Sequence, residues 1–376
     1  MEITRVLHVI GQMNYGGAET LIMSLYRNID RSRVQFDFVE NTSKEAVFDS
    51  EILALGGRIY HCPHYNGKNH FSYVRWWKDF FRAHADEYAA VHGHIGSTAA
   101  IYLREAKKHG IFTIAHSHNT NGVGLNSLVY RAFAFPTRFI ADQFFACSRL
   151  AGMDRYGKKI GNDPERCILL RNAIETNRFS YNPQLRKAAR ADWGISDDEF
   201  VVGHVGRFVQ QKNHMFLLDI FSELIKRKPK ARLLLVGQED EGRKIRQKAE
   251  TLDLTEHVIF AGTHRDTAPF YQMMDVFVLP SLFEGLGIVN IEAQTSGLLS
   301  FTSDKVVAPE CKVTELMHFI PLSHSPEQWA EEILQAYSDQ LPRRDHSEEV
   351  RAAGYDIGET AEWLCNFYRK ALKEHG

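Results

Sequence analysis

Cysteine is scarce and unpatterned in this chain. Five cysteines, at positions 62, 147, 167, 311 and 365, stand far apart, odd in number and without a Cys-x-x-Cys pair. That spacing argues against a disulfide framework and against a thiolate zinc site, and it leads to the expectation of a reducing, cytoplasmic setting. No apolar run is long enough to span a bilayer, and no secretory leader pattern opens the sequence. Neither sign of charge dominates: 45 Lys and Arg face 47 Asp and Glu, for a net charge of -2. The electrostatic footprint of a nucleic-acid binder is therefore missing. There is no Gly-x-Gly-x-x-Gly fingerprint, so a dinucleotide cofactor is not supported. No Asp-x-Asp pair follows a strand pattern, so no metal site and no cofactor is expected. No internal repeat marks a solenoid or propeller.

What is present is an alternation. Hydrophobic residues make up 44% and charged residues 24%, the balance of an ordinary globular protein. At 376 residues the chain exceeds the size of one typical core, so two domains are expected. Apolar runs predict strands at Val6-Ile10, Phe36-Val39, Ala90-His92, Ile111-Ile114 and Phe144-Cys147. Helical spacing lies between them, at about 44–55, 70–84, 97–109, 125–140 and 148–156. The pattern restarts with strands at Phe200-Val205, Arg232-Val236, Val258-Ala261 and Val276-Leu279. Its helices are expected near 213–227, 241–253, 267–274, 288–296, 325–338 and 359–374. Strands alternating with helices imply parallel sheets covered on both faces, an α/β fold of two doubly wound domains. The polar stretch from Ile168 to Phe200 reads as the linker. Ligands of such sheets sit at the carboxyl ends of the strands.

The most informative segment is Pro280-Ser281-Leu282-Phe283-Glu284-Gly285-Leu286-Gly287-Ile288-Val289-Asn290-Ile291-Glu292-Ala293. It reads strand end, glycine turn, helix start. Glycines let the backbone approach a ligand closely, and a helix start offers free N–H groups to an anion. Two carboxylates beside an anion pocket suit sugar hydroxyls, which a carboxylate accepts in a fork. A second cationic loop, Gly206-Arg207-Phe208-Val209-Gln210-Gln211-Lys212, follows another strand. Arg207 and Lys212 suit a departing diphosphate, because preorganised cations stabilise charge that builds in the transition state. The blander reading, a solvated surface pair, is favoured for these cations taken alone.

Together with Gly16-Gly17-Ala18-Glu19, His116-Ser117-His118 and Arg171-Asn172-Ala173-Ile174, these segments resemble glycosyltransferase family 4. The closest flavour is that of bacterial exopolysaccharide and capsule transferases. The resemblance implies a retaining enzyme of GT-B fold that moves a sugar from a nucleotide-sugar, expected to be a UDP-sugar, to a glycan or lipid-linked acceptor. It implies an acceptor-side domain at 1–175, a nucleotide-sugar domain at 176–357 and a helix at 358–376 crossing back to the first domain. It also assigns roles. Glu284 contacts the donor sugar and Glu292 the ribose; Gly16 and Gly17 approach the diphosphate, as do the cations near Gly206. His116 faces the reacting sugar, while His118 and Asn119 are candidates for the acceptor side. Gly285, Leu286, Gly287 and Ile288 line the donor pocket, and Thr263 and His264 lie near the base. The chain departs from the family after Gly297-Leu298, where Leu299-Ser300 replaces a common proline.

Alternatives stay open at this level. An epimerase or phosphorylase could use the same architecture, as could a silent nucleotide-sugar-binding subunit. His92 and His94 form a second His-x-His pair, and four histidines invite a zinc reading. No matching carboxylate or thiolate accompanies them, so hydrogen-bonded histidines are the expectation. Two aromatic and cationic segments, His70–Arg82 and Tyr130–Phe139, suit peripheral contact with an anionic membrane. Core aromatics beneath a solvated cationic face are the stronger expectation.

Overall fold

The computed structural model describes residues 3–118, 132–339 and 341–375, with side chains followed to residue 370. The chain divides into two compact units, Met1–Ile174 with Asp356–Gly376, and Glu175–Tyr355.

The first unit holds seven strands: β1 (Thr4–Ile10), β2 (Val34–Glu40), β3 (Ile59–His61), β4 (Ala90–Gly93), β5 (Phe112–Ser117), β6 (Gln143–Ala146) and β7 (Cys167–Leu169). They lie in the order β3-β2-β1-β4-β5-β6-β7, every pair parallel. The order reverses between β1 and β4, which opens a crevice at their carboxyl ends. One sheet face packs under helices Gly17–Asn28 and Ile357–His375, through Leu21, Leu25, Phe36, Phe145, Leu364 and Tyr368. The other packs under helices His70–His84 and Ala99–Lys108, through Trp77, Phe81, Tyr102 and Leu103. In the helix His70–His84 the aromatics Tyr73, Trp77, Phe80 and Phe81 are core, while Arg75, Lys78 and Arg82 are solvated. The stronger expectation for this segment is therefore met. Phe71 breaks the pattern: it is 87% exposed.

The second unit holds β8 (Val201–Val205), β9 (Arg232–Val236), β10 (Val258–Gly262), β11 (Val276–Leu279), β12 (Leu299–Ser303) and β13 (Met317–Ile320), in the order β10-β9-β8-β11-β12-β13. All are parallel, and the order reverses between β8 and β11. The expected linker is a correction here. Residues Pro183–Asp192 form a helix of the second unit, capped by Asn182, whose side chain accepts from the backbone N–H groups of Gln184 and Leu185. Arg186 and Arg190 of that helix both bond Asp275 at the foot of β11, which fixes the helix to the sheet. The chain passes between the units at Ile174–Glu175 and again at Tyr355–Asp356.

Candidate active site

In the second unit the loops after β8 and β11 meet where the strand order reverses. Lys212 ends the short turn Gln210–Lys212 and forms an ion pair with Glu284 Oε1. Glu284 is 7% exposed. It also accepts from Ser281 Oγ at 3.3 Å, and from Gln211 Nε2 at 3.4 Å. The loops are laced by backbone: Leu282 N–H donates to Gln211 O at 2.8 Å, and Gln211 Nε2 donates to Phe283 O at 2.9 Å. Asn213, in the left-handed region at φ 57, donates through Nδ2 to Pro280 O. From the other side, Glu284 N–H donates to Val306 O at 3.1 Å. Gln211, Ser281 and Asn213 thus hold the catalytic candidates, and sequence reading did not single them out. Their one signal was position in the two loops.

Gly287 sits at φ 71 and opens the helix Ile288–Thr295, so the glycine turn is required by the backbone itself. Gly285, Leu286 and Gly287 are buried and Ile288 is half-buried. Beneath the loops, Gly237 follows β9 at φ 151, and a Cβ there would fall 2.0 Å from Gly206 O. That close approach sets the height of Gly206.

Two sequence expectations change. Arg207 does not join Lys212. Its guanidinium donates to Asp240 at 3.2 and 3.3 Å, and its side chain is half exposed. The reason is local: Phe208 N–H donates to Gln238 O, so the chain after Gly206 runs beside the β9 loop before turning back. Glu292 does not simply project from its helix. It is half-buried, and Tyr271 Oη donates to its Oε2 at 2.5 Å. Burial pushes the Glu292 carboxyl up to about 7, the tyrosine hydrogen bond opposing that rise. Thr263 and His264 are exposed in the turn after β10, with a His264 ring nitrogen 2.8 Å from Ala261 O.

In the first unit Gly16 precedes the helix Gly17–Asn28 in extended backbone, and a Cβ on Gly17 would meet open space. The fold alone therefore does not require glycine at 17, and the helix start is approachable. The histidines form one cluster at the carboxyl ends of three adjacent strands. His8 on β1 stands opposite His92 on β4, and His92 opposite Ile114 on β5, so His94 and His116 fall level on the same face. His94 reaches His118 (Nδ1 to Nε2, 2.7 Å) and His8 (Nε2 to Nδ1, 3.0 Å). His116 Nδ1 lies 3.1 Å from His92 Nε2, and His92 Nδ1 lies 2.6 Å from Tyr368 Oη. Burial holds all five imidazoles below their ordinary pKa: His8 and His118 to about 3, the others well below. The expectation of hydrogen-bonded histidines is met, and His8 and Tyr368 are members that the sequence did not reveal. Asn119 lies outside the described residues.

Two parallel-stranded Rossmann-like units, with loops of this chemistry where each strand order reverses, define a GT-B glycosyltransferase fold. The family model for glycosyltransferase family 4 matches residues 15–178, and that for glycosyl transferases group 1 matches residues 186–354. EpsF of Bacillus subtilis (strain 168), a glycosyltransferase by name, is 35% identical over 381 residues, spanning 99% of this chain and 98% of that one. The chain belongs to the family-4 glycosyltransferases and is a transferase enzyme. An Escherichia coli protein named UDP-Gal:alpha-D-GlcNAc-diphosphoundecaprenol alpha-1,3-galactosyltransferase is 24% identical over 230 residues, covering 58% of each chain. Among solved structures, Anabaena HepE in complex with UDP and glucose superposes with a TM-score of 0.77 at 17% identity. It covers 98% of this chain and 100% of its own.

Proposed function

We propose that this enzyme transfers a sugar from a UDP-sugar, with retention at the anomeric carbon, to a glycan or lipid-linked acceptor in exopolysaccharide or other glycan assembly. The observation that carries the reading is the Lys212–Glu284 pair at the strand-order reversal between β8 and β11. Lys212 supplies a cation for the leaving diphosphate, and the open N–H groups of the helix Ile288–Thr295 add their partial charge. Glu284, held from several sides, presents its carboxylate to the sugar hydroxyls. Glu292 takes the ribose. The UDP of HepE and the UDP-sugar and lipid-linked acceptor in the galactosyltransferase's name support this assignment. In this reading no divalent ion is needed at the diphosphate.

The acceptor hydroxyl attacks the face that the diphosphate leaves, and the departing phosphate takes its proton, so no separate strong base is required. The histidine end of the first unit then serves the reacting sugar and acceptor. Glu284→Gln keeps the side chain's shape, and it is expected to lower kcat by about a hundredfold or more. Lys212→Ala is expected to do the same. The measurement is acceptor-dependent UDP release, with circular dichroism confirming the fold; turnover like that of the unaltered enzyme in either variant removes that residue from its role. Added Mg2+ is expected to leave turnover unchanged.

No described helix is long and apolar enough to cross a membrane. Contact with a membrane surface is supported by Phe71, Phe133, Phe135 and Phe139, all exposed, with Arg138 over the Phe135 ring. Phe71→Ser with Phe139→Ser is expected to reduce co-flotation with vesicles containing anionic lipid. Equal flotation of both forms would discard the idea.

A further inference from the structure

Most of the ring nitrogens in the histidine cluster have an assigned neighbour; His8 Nε2, His116 Nε2 and His118 Nδ1 are buried with none among the described residues. His94 Nε2 is taken by His8, and His116 Nδ1 by His92, which Tyr368 backs in turn. That leaves His94 Nδ1 facing His118 Nε2, and His116 Nε2 buried with no partner among the described residues. One nitrogen each from His94, His116 and His118 lies within 4.8 Å of the other two. A tetrahedral ion with Zn–N bonds of about 2.0–2.1 Å sets its ligand nitrogens about 3.3 Å apart, so on binding the His94–His118 pair would open from 2.7 Å.

We propose that His94 Nδ1, His116 Nε2 and His118 Nε2 bind one divalent transition ion of the zinc class, with a fourth position left open. Two features beyond proximity favour an ion over a stack of bare imidazoles. Metal-bound histidines usually engage their second ring nitrogen, which fixes tautomer and orientation; here His8 does this for His94, and His92 with Tyr368 does it for His116, while His118 Nδ1 has no partner among the described residues. A deeply buried ring nitrogen without a partner is costly, and coordination would satisfy His116 Nε2. All-imidazole ligation suits zinc, copper, nickel or iron and not magnesium or calcium, which take oxygen ligands. Three histidines with an open fourth position are the donor set of a reactive zinc site rather than a closed structural one. The ion would join the loop after β4 to the end of β5.

The test uses the full chain without a histidine tag, stripped with a chelator and titrated with Co2+. One equivalent is expected, giving the visible absorption of tetrahedral cobalt, and Zn2+ should displace it. X-ray absorption of the zinc form should show a shell of three imidazole nitrogens. Even an outer-shell partner typically costs 10–100-fold in affinity, so His118→Gln is expected to weaken binding by at least about a hundredfold. His324→Gln, at an exposed histidine elsewhere, should retain the full equivalent. If folded, stripped protein binds Co2+ no more tightly than the His118→Gln variant, the proposal is overturned. Should that variant fail to fold, the nitrogen shell of the unaltered protein decides, and fewer than three imidazoles overturns it. None of these readouts depends on transferase activity.

Discussion

Glu292 shows how one residue carries two meanings. In the sequence it is the second acid of a family motif; in the structure it is a half-buried carboxyl bonded to Tyr271, pushed up to about 7. A folded-state pKa above the ordinary 4.5 means that the folded protein holds this proton more tightly than the unfolded chain does. Its contribution is therefore complete below pH 4.5 and is lost as pH rises through 7. Glu40, fully buried and also raised to about 7, adds a slope of the same sign from the first unit. Glu292→Gln is expected to flatten the fall in stability of the second unit between those limits, a difference of up to about 3 kcal/mol. Urea midpoints at a series of pH values measure it. Parallel curves for the variant and the unaltered protein would show that Glu292 titrates normally. Arg207 teaches the complementary lesson: the sequence places it in the right loop, but its direction depends on a backbone bond to the β9 loop that no local pattern encodes.

Elements were legible where apolar periodicity was unmixed. The runs Arg232–Val236 and Val276–Leu279 read directly as strands, and helix His70–His84 keeps its expected bounds. β12 escaped because its sequence, Leu-Ser-Phe-Thr-Ser, looks half solvated, yet every residue in it is buried. The Thr302 hydroxyl donates to Leu279 O, and Ser300 Oγ donates to Leu298 O, so two of its three hydroxyls are satisfied locally. Helix Pro183–Asp192 escaped for a different reason. Its Asn-Pro start is a sound cap, but basic composition resembles a linker until Asp275 supplies the partner. The end of β9 gives the sharpest test at this scale. Gly237→Ala would force a Cβ against Gly206 O, in backbone that side chains avoid. It is expected to cost at least about 2 kcal/mol and to displace the Gly206–Lys212 loop. A melting curve gives the first and UDP affinity the second; a variant with both unchanged would show that the two loops can part freely.

At the scale of the molecule, the chain leaves its first unit at residue 174 and returns to it at 356. The last helix is therefore core material for a sheet begun more than three hundred residues earlier. Ile357, Leu364 and Tyr368 are each at most 3% exposed within that core, and Ile357 N–H donates to Ile174 O. Burial of three such side chains at about 1.5–3 kcal/mol each rivals the whole margin of a typical domain, about 5–15 kcal/mol. Tyr368 also supports His92, so the helix bears on the histidine cluster as well as on stability. A chain ending at residue 355 is expected to lose the cooperative unfolding of the first unit. Residues 175–355 alone carry an unbroken sheet and the Lys212–Glu284 pair, so this fragment is expected to fold cooperatively and to bind UDP. UDP at 100 times its Kd should stabilise it by about 2.7 kcal/mol, read as a shift of its melting curve. A fragment that folds but shows no shift would place essential nucleotide contacts outside residues 175–355, and one that never folds would show that the second unit depends on the first.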